Sequence, residues 1–206
     1  MLCLRHLKKF GKRVAVFWRI NMILLQSIWA YRPYTMEEEK EKQVILEFLE
    51  KSGDQILFRT SHFAHATATA MVFNDKKDKV LMIKHNIFDT WACVGGHADG
   101  EGNLLSVALK ELQEETGVIA AVPHSRDILS LDILSVTAHY KRGEYVPNHL
   151  HINATFAFIA DERVSLRIKE DENSDVAWIP VKEIESHCKE KEFVKVYKKI
   201  IEKIIY

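Results

Sequence analysis

Glu111, Glu114 and Glu115 stand at the end of the stretch "GGHADGEGNLLSVALKELQEETGV", residues 95–118. Spacings of three and four residues gather side chains on one side of a helix, so these carboxylates face one another. Such like-charged pairs repel by about a few tenths of a kcal/mol each, and here they sit near a helix C-terminus, where the macrodipole disfavours anions. Two readings account for them. A solvated polar face needs nothing further. A site for a hard cation offsets the repulsion, because magnesium or manganese takes a few carboxylates and keeps water or substrate phosphate in its other positions. Gly95 and Gly96 tip the balance toward the cation, since glycine lets the chain turn sharply before the helix and bring a carbonyl close to an ion.

The elements around the acids follow from pattern and punctuation. Asn103 is a good cap for a helix that runs to Thr116 and stops before Gly117. Leu105, Ala108, Leu109 and Leu112 form its apolar stripe, well round the cylinder from the acids. Strands are expected at 66–73 and 79–85, joined by "NDKKD", and a third at 90–94 ending at the glycine pair. "DILSLDILSVTAHY" and "HLHINATFAFIA" read as two long strands flanking "KRGEYVPN", "DVAWIP" as another short strand, and "VKEIESHC" and "EFVKVYKKIIEKIIY" as closing helices. Upstream, Thr35 caps and Gly53 ends a helix whose stripe is Val44, Ile45, Phe48 and Leu49. Without regular βαβ alternation the fold class is α+β. The chain divides into an N-terminal extension and helix, 1–60, and a main domain, 61–206.

Placed in register from Gly96 to Val118, the segment resembles the Nudix box, G-x5-E-x7-R-E-U-x-E-E-x-G-U with U apolar. Glu111, Leu112, Glu114, Glu115, Gly117 and Val118 match, whereas Gly102 stands where the first glutamate belongs and Lys110 where the arginine does. Glu101 lies one residue early. The resemblance implies an α/β/α sandwich with a mixed sheet and the box as loop and helix. It also implies a Mg2+- or Mn2+-dependent hydrolase that cleaves a diphosphate linkage in a nucleoside diphosphate joined to another moiety. Glu111, Glu114 and Glu115 would be catalytic and, with the Gly95 carbonyl, hold the metal. A general base would come from Glu111 or from an acid outside the box, with Asp171, Glu172 and Asp175 as candidates. Lysine at 110 lacks the planar fork by which the arginine holds the loop. Two alternatives stand beside this: a Nudix-fold binding or sensor module with decayed catalysis, and an isomerase acting on an allylic diphosphate, for which Cys93 would have to be catalytic.

His149, His151 and Asn153 alternate along a strand and share a face, whereas His62 and His65, three apart, need not. A zinc site would require a third ligand that the local spacing does not supply. His97, His149, His151 and Glu172 are the expected substrate contacts, and Trp91 and Trp178 are expected in the core. Lys plus Arg equals Asp plus Glu, 29 each, so no global field points to nucleic acid or a membrane surface. The expected partner is a small diphosphate molecule, and a homodimer stays open. Three scattered cysteines, Cys3, Cys93 and Cys188, fit a reducing cytoplasm. The basic "RHLKKFGKR" followed by "VAVFWRINMILLQSIWAY" superficially resembles a leader or anchor, but Arg19, Asn21 and Gln26 interrupt it, and a helix packed on the domain is the plainer expectation. Met22 and Met36 are alternative translation starts.

Overall fold

The computed structural model describes residues 21–141 and 143–205, so Met1, Cys3, Arg19 and the basic run at 5–13 lie outside the described residues. In chain order come helices α1 (Met22–Ala30) and α2 (Met36–Ser52), a 3-10 turn (Gly53–Leu57), and strands β1 (Ala64–Asn74), β2 (Lys79–His85), β3 (Thr90–Ala92) and β4 (Val94–His97). Helix α3 (Leu104–Thr116) leads into β5 (Val122–Pro123), β6 (Ser130–Val136), β7 (His139–Lys141), β8 (Glu144–Val146), β9 (His149–Ala160) and β10 (Asn173–Pro180). The short α4 (Ile184–His187) and α5 (Lys191–Ile205) close the chain.

Strand β1 organises an eight-stranded mixed sheet. It pairs in parallel with β9 along its whole length, Ala64 opposite Leu150 through Asn74 opposite Ala160, and antiparallel with β2 and β4 on its other edge. Strands β7 and β8 form a separate small hairpin.

Alternation along β1 divides the core in two. Ala66, Ala68, Ala70 and Val72 join Leu24, Ile45, Leu49, Val107 and Leu112 of α1, α2 and α3. Met71 and Phe73 pack with Val194, Tyr197, Ile200 and Ile204 of α5. Helices therefore cover both faces of the sheet, the expected α/β/α sandwich. On the α5 face the residues preceding Met71 at period two are Thr69, Thr67 and His65, so the apolar layer gives way to a polar end. That end carries the cleft described below. Glu38 of α2 binds Lys199 and Lys203 of α5 at 2.8 and 2.7 Å, tying the two helical layers together.

Several local expectations are corrected. Val44 is 41% exposed, because α2 buries only the narrower arc through Ile45 and Leu49. In α3 the buried arc centres on Leu104, Val107, Ala108 and Leu112, with Leu105 and Leu109 at its margins. The strand expected at 90–94 breaks at Cys93 and resumes through the glycine pair to His97. The connection "KRGEYVPN" carries strand β8, and "VKEIESHC" is a 3-10 turn with a four-residue helix. Trp91 and Trp178 are half-buried at the edges of the two core clusters. Helix α1 packs on the domain as expected, burying Leu24, Leu25 and Ile28.

Candidate active site

Helix α3 aims the acids. Asn103 accepts a hydrogen bond from the Ser106 N–H at its start, and Gly117, in the left-handed region at φ 76°, ends it with an N–H bond to the Gln113 carbonyl. With the apolar arc against the sheet, Glu111 is half-buried and Glu115 is only 2% exposed. Oxygens of Glu111, Glu115 and Glu172 lie within 4.8 Å of one another. Glu172 arrives there from the far end of the chain. Asn173, buried beside it, donates from Nδ2 to the Glu115 carbonyl at 3.2 Å and accepts from the Lys169 N–H, fastening the start of β10 to the end of α3.

Glu114 stands apart from this trio. Its carboxylate is part-exposed, 3.7 Å from Lys110 Nζ and 3.5 Å from Lys169 Nζ. Lys169 also lies 3.3 Å from Glu172. Asp171 and Asp175 are exposed and outside the trio, Asp175 accepting from the Val176 N–H at 2.8 Å.

The trio holds more negative character than its surroundings compensate. Burial, then the charges of Glu172 and Glu111, push the Glu115 carboxyl up to about 8, with Lys169 and the Gly95 N–H pulling the other way. Burial likewise raises Glu111. Glu115 Oε1 is buried without a hydrogen-bond partner among the described residues. An orphaned buried carboxylate oxygen beside two further carboxylates fits a hard divalent cation, which supplies both the missing partner and the missing charge.

The glycine pair is required by contact on two sides. A Cβ on Gly95 would come within 2.7 Å of the Ala68 carbonyl of β1, and one on Gly96 within 2.7 Å of Glu111 Cγ. The two departures from the box are also resolved in space. A Cβ on Gly102 would overlap the side chain of Asn21, whose Oδ1 caps α1 by accepting from the Ile23 and Leu24 N–H groups and whose own N–H donates to Asp54. Glu101 accepts from the Asn103 N–H at 2.6 Å, bracing the helix entrance, while Lys110 turns to Glu114. Arg59 grips Asp99 through two hydrogen bonds of 2.8 and 2.6 Å, holding the loop between β4 and α3. Restoring the box residue by Gly102→Glu should therefore lower stability by about 1–3 kcal/mol through overpacking. Urea denaturation reads this directly, and unchanged stability would refute the packing of Asn21 against the loop.

Beside the glycine pair opens a cleft of about 500 Å³. His97, His149 and His151 line it together, with Arg59 and Lys141 as cations and Phe88, Tyr145 and Phe193 as apolar surface. Glu172, expected among the substrate contacts, sits with the carboxylate trio. Sequence reasoning missed Arg59 and Lys169, which carry no local motif, and set His65 apart from the histidines it joins.

The NUDIX domain family matches residues 64–204. A probable DHNTP pyrophosphohydrolase of Lactococcus lactis subsp. cremoris is 25% identical over 164 residues, covering 80% of this chain and 90% of that protein. Among solved structures, a C. elegans Ap4A hydrolase binary complex superposes with a TM-score of 0.51 at 13% identity, over 65% of this chain and 93% of that one. The E. coli dihydroneopterin triphosphate pyrophosphohydrolase gives a TM-score of 0.51 at 12% identity, over 67% and 95%. Those two likenesses establish the fold. The family match runs from β1 through the box helix to α5, and on it the chain belongs to the Nudix family.

Proposed function

We propose that this Nudix enzyme is a divalent-metal-dependent pyrophosphohydrolase that cleaves a diphosphate linkage in a nucleoside diphosphate joined to another moiety. The observation that carries the reading is the buried, unpartnered Glu115 Oε1 among Glu111 and Glu172, beside a glycine turn at the edge of a cationic and aromatic cleft. Glu111 and Glu115, with the Gly95 carbonyl, would hold Mg2+ or Mn2+ beside Glu172, while Glu114, expected with them, is drawn outward by Lys110 and Lys169. When bound, the ion polarises the phosphoryl oxygens and lowers the pKa of water. Glu172, the acid outside the box that reaches the trio, takes the proton of the attacking water. Arg59 and Lys141 bind the negative charge of the diphosphate, and Phe88, Tyr145 and Phe193 give the organic part a surface to pack on. The name of the Lactococcus relative supports pyrophosphate chemistry.

The isomerase reading needs a reactive Cys93. That thiol is 7% exposed, and burial pushes its pKa far up, with Cys188 adding to the shift, so it stays protonated. Among the described residues no helix is long and apolar enough to cross a membrane. Cys93 and Cys188 are free thiols, in keeping with a cytoplasmic location.

The test is phosphate release, after phosphatase coupling, from a panel of nucleoside-diphosphate derivatives with magnesium. Turnover of at least one compound by wild type, lost in Glu115→Gln, is expected. Ligand binding without turnover, the same in both proteins, would make the chain a sensor module instead.

A further inference from the structure

The open end of the sheet gathers imidazoles from three strands. His65 on β1 lies opposite His151 on β9, and His97 on β4 lies opposite Thr67, the next β1 residue on the face of His65. Ring nitrogens of His65, His97 and His151 lie within 4.8 Å of one another. His149 completes the group, its Nε2 3.2 Å from that of His151 and its ring centroid 4.9 Å from that of His65.

Ordinary core histidines are buried with their polar atoms satisfied, and His65 is not. His65 is 5% exposed, and its Nε2 has no hydrogen-bond partner among the described residues. Its Nδ1 faces the Ser61 carbonyl at 3.2 Å, which places the proton there and leaves an Nε2 lone pair. His149 repeats the arrangement, Nδ1 to the Pro147 carbonyl at 2.9 Å. A backbone carbonyl on one ring nitrogen fixes the tautomer in which the other nitrogen can ligate. Burial lowers the pKa of the His65 and His151 imidazoles, which favours the neutral form that ligation requires.

We propose that His65, His97 and His151, with His149 at the margin, form a site for one transition-metal ion of the zinc class, separate from the carboxylate trio. Neutral imidazoles select zinc, cobalt or nickel over magnesium, which seeks oxygen. Three protein nitrogens leave a coordination position open, and all four rings line the cleft, so a heteroatom of the bound molecule can fill it. The imidazole site then lies within the cleft and the carboxylate site beside it at the glycine pair, two sites of different chemistry, one for the diphosphate and one that orients the rest of the substrate.

The test reads metal binding rather than turnover, so it stands or falls apart from the hydrolase reading. Chelator-stripped full-length protein is titrated with Zn2+, and with Co2+ as a spectroscopic probe, in excess Mg2+. The expected result is one equivalent of zinc retained against magnesium, and a visible Co2+ spectrum of low-symmetry nitrogen ligation. Glu115→Gln should keep that equivalent, while His65→Gln and His151→Gln should each bind zinc more than about tenfold more weakly. X-ray absorption at the zinc edge on wild type serves if a variant fails to fold, and should show histidine nitrogens in the first shell. An oxygen-only shell, displacement of zinc by magnesium, or zinc lost in Glu115→Gln but kept in His151→Gln would overturn the proposal.

Discussion

Glu115→Gln is expected to lower turnover by about 10³-fold, equivalent to roughly 4 kcal/mol of transition-state stabilisation, and at the same time to make the metal-free protein more stable at pH 8. Both effects follow from one buried carboxyl. Its native pKa is raised to about 8 from an ordinary value of 4.5, so across that window the unfolded chain has shed a proton that the native state still holds. Stability associated with the group is fully present below pH 4.5 and is lost as pH rises through 8, at up to about 1.4 kcal/mol per pH unit. Glutamine fills the same space without a charge and removes this slope. Denaturation in EDTA at pH 5 and pH 8 separates the cases: wild type should weaken between them more than Glu115→Gln does. Equal slopes would show that Glu115 is not the strained group, and a variant less stable than wild type at pH 8 would show that its carboxylate is satisfied without metal. Added magnesium should stabilise wild type and leave the variant nearly unchanged.

Gly96→Ala is expected to cost about 10²-fold in kcat through a single methyl group far too small to block the cleft. The new Cβ would fall within 2.7 Å of Glu111 Cγ, so the carboxylate must retreat from Glu115 and Glu172. Displacement of a catalytic group by about 1 Å is enough for a loss of that size. Stability should fall by about 1–3 kcal/mol, because strand β4 is pinned to β1 on its other side and cannot simply move away. Steady-state kinetics over a magnesium titration tests the account. A variant with wild-type kcat and an unaltered magnesium midpoint would mean that Glu111 does not need its present position.

The parts of this architecture that were legible in the sequence are those decided between near neighbours. Thr35 and Gly53 bound α2, and Asn103 and Gly117 bound α3, because caps and left-handed stops act within one turn. The carboxylates of Glu111 and Glu115 could be placed on one side of a helix by spacing alone. Glu172 and His65 could not be assigned in this way. Glu172 reaches the trio through Asn173, whose anchor at the Glu115 carbonyl is 58 residues away. His65 meets His151 only because β1 and β9 pair in one register, and a slip by a single residue would send every histidine of β9 to the opposite face. Glu114 shows the complementary limit, since spacing put it with its neighbours while Lys110 and Lys169 draw it outward.

The contact between Asn21 and Gly102 makes the edge of the fold differ from the edge of the family pattern. The pattern begins at residue 64, yet the space beside the box loop is filled from forty-three positions upstream. A chain shortened to begin at Met22 or Met36 would keep every box residue and still leave a hollow under the loop. Trimming by homology, as is usual when a domain is cut out for expression, would thus remove part of the support for the glutamates without touching one of them.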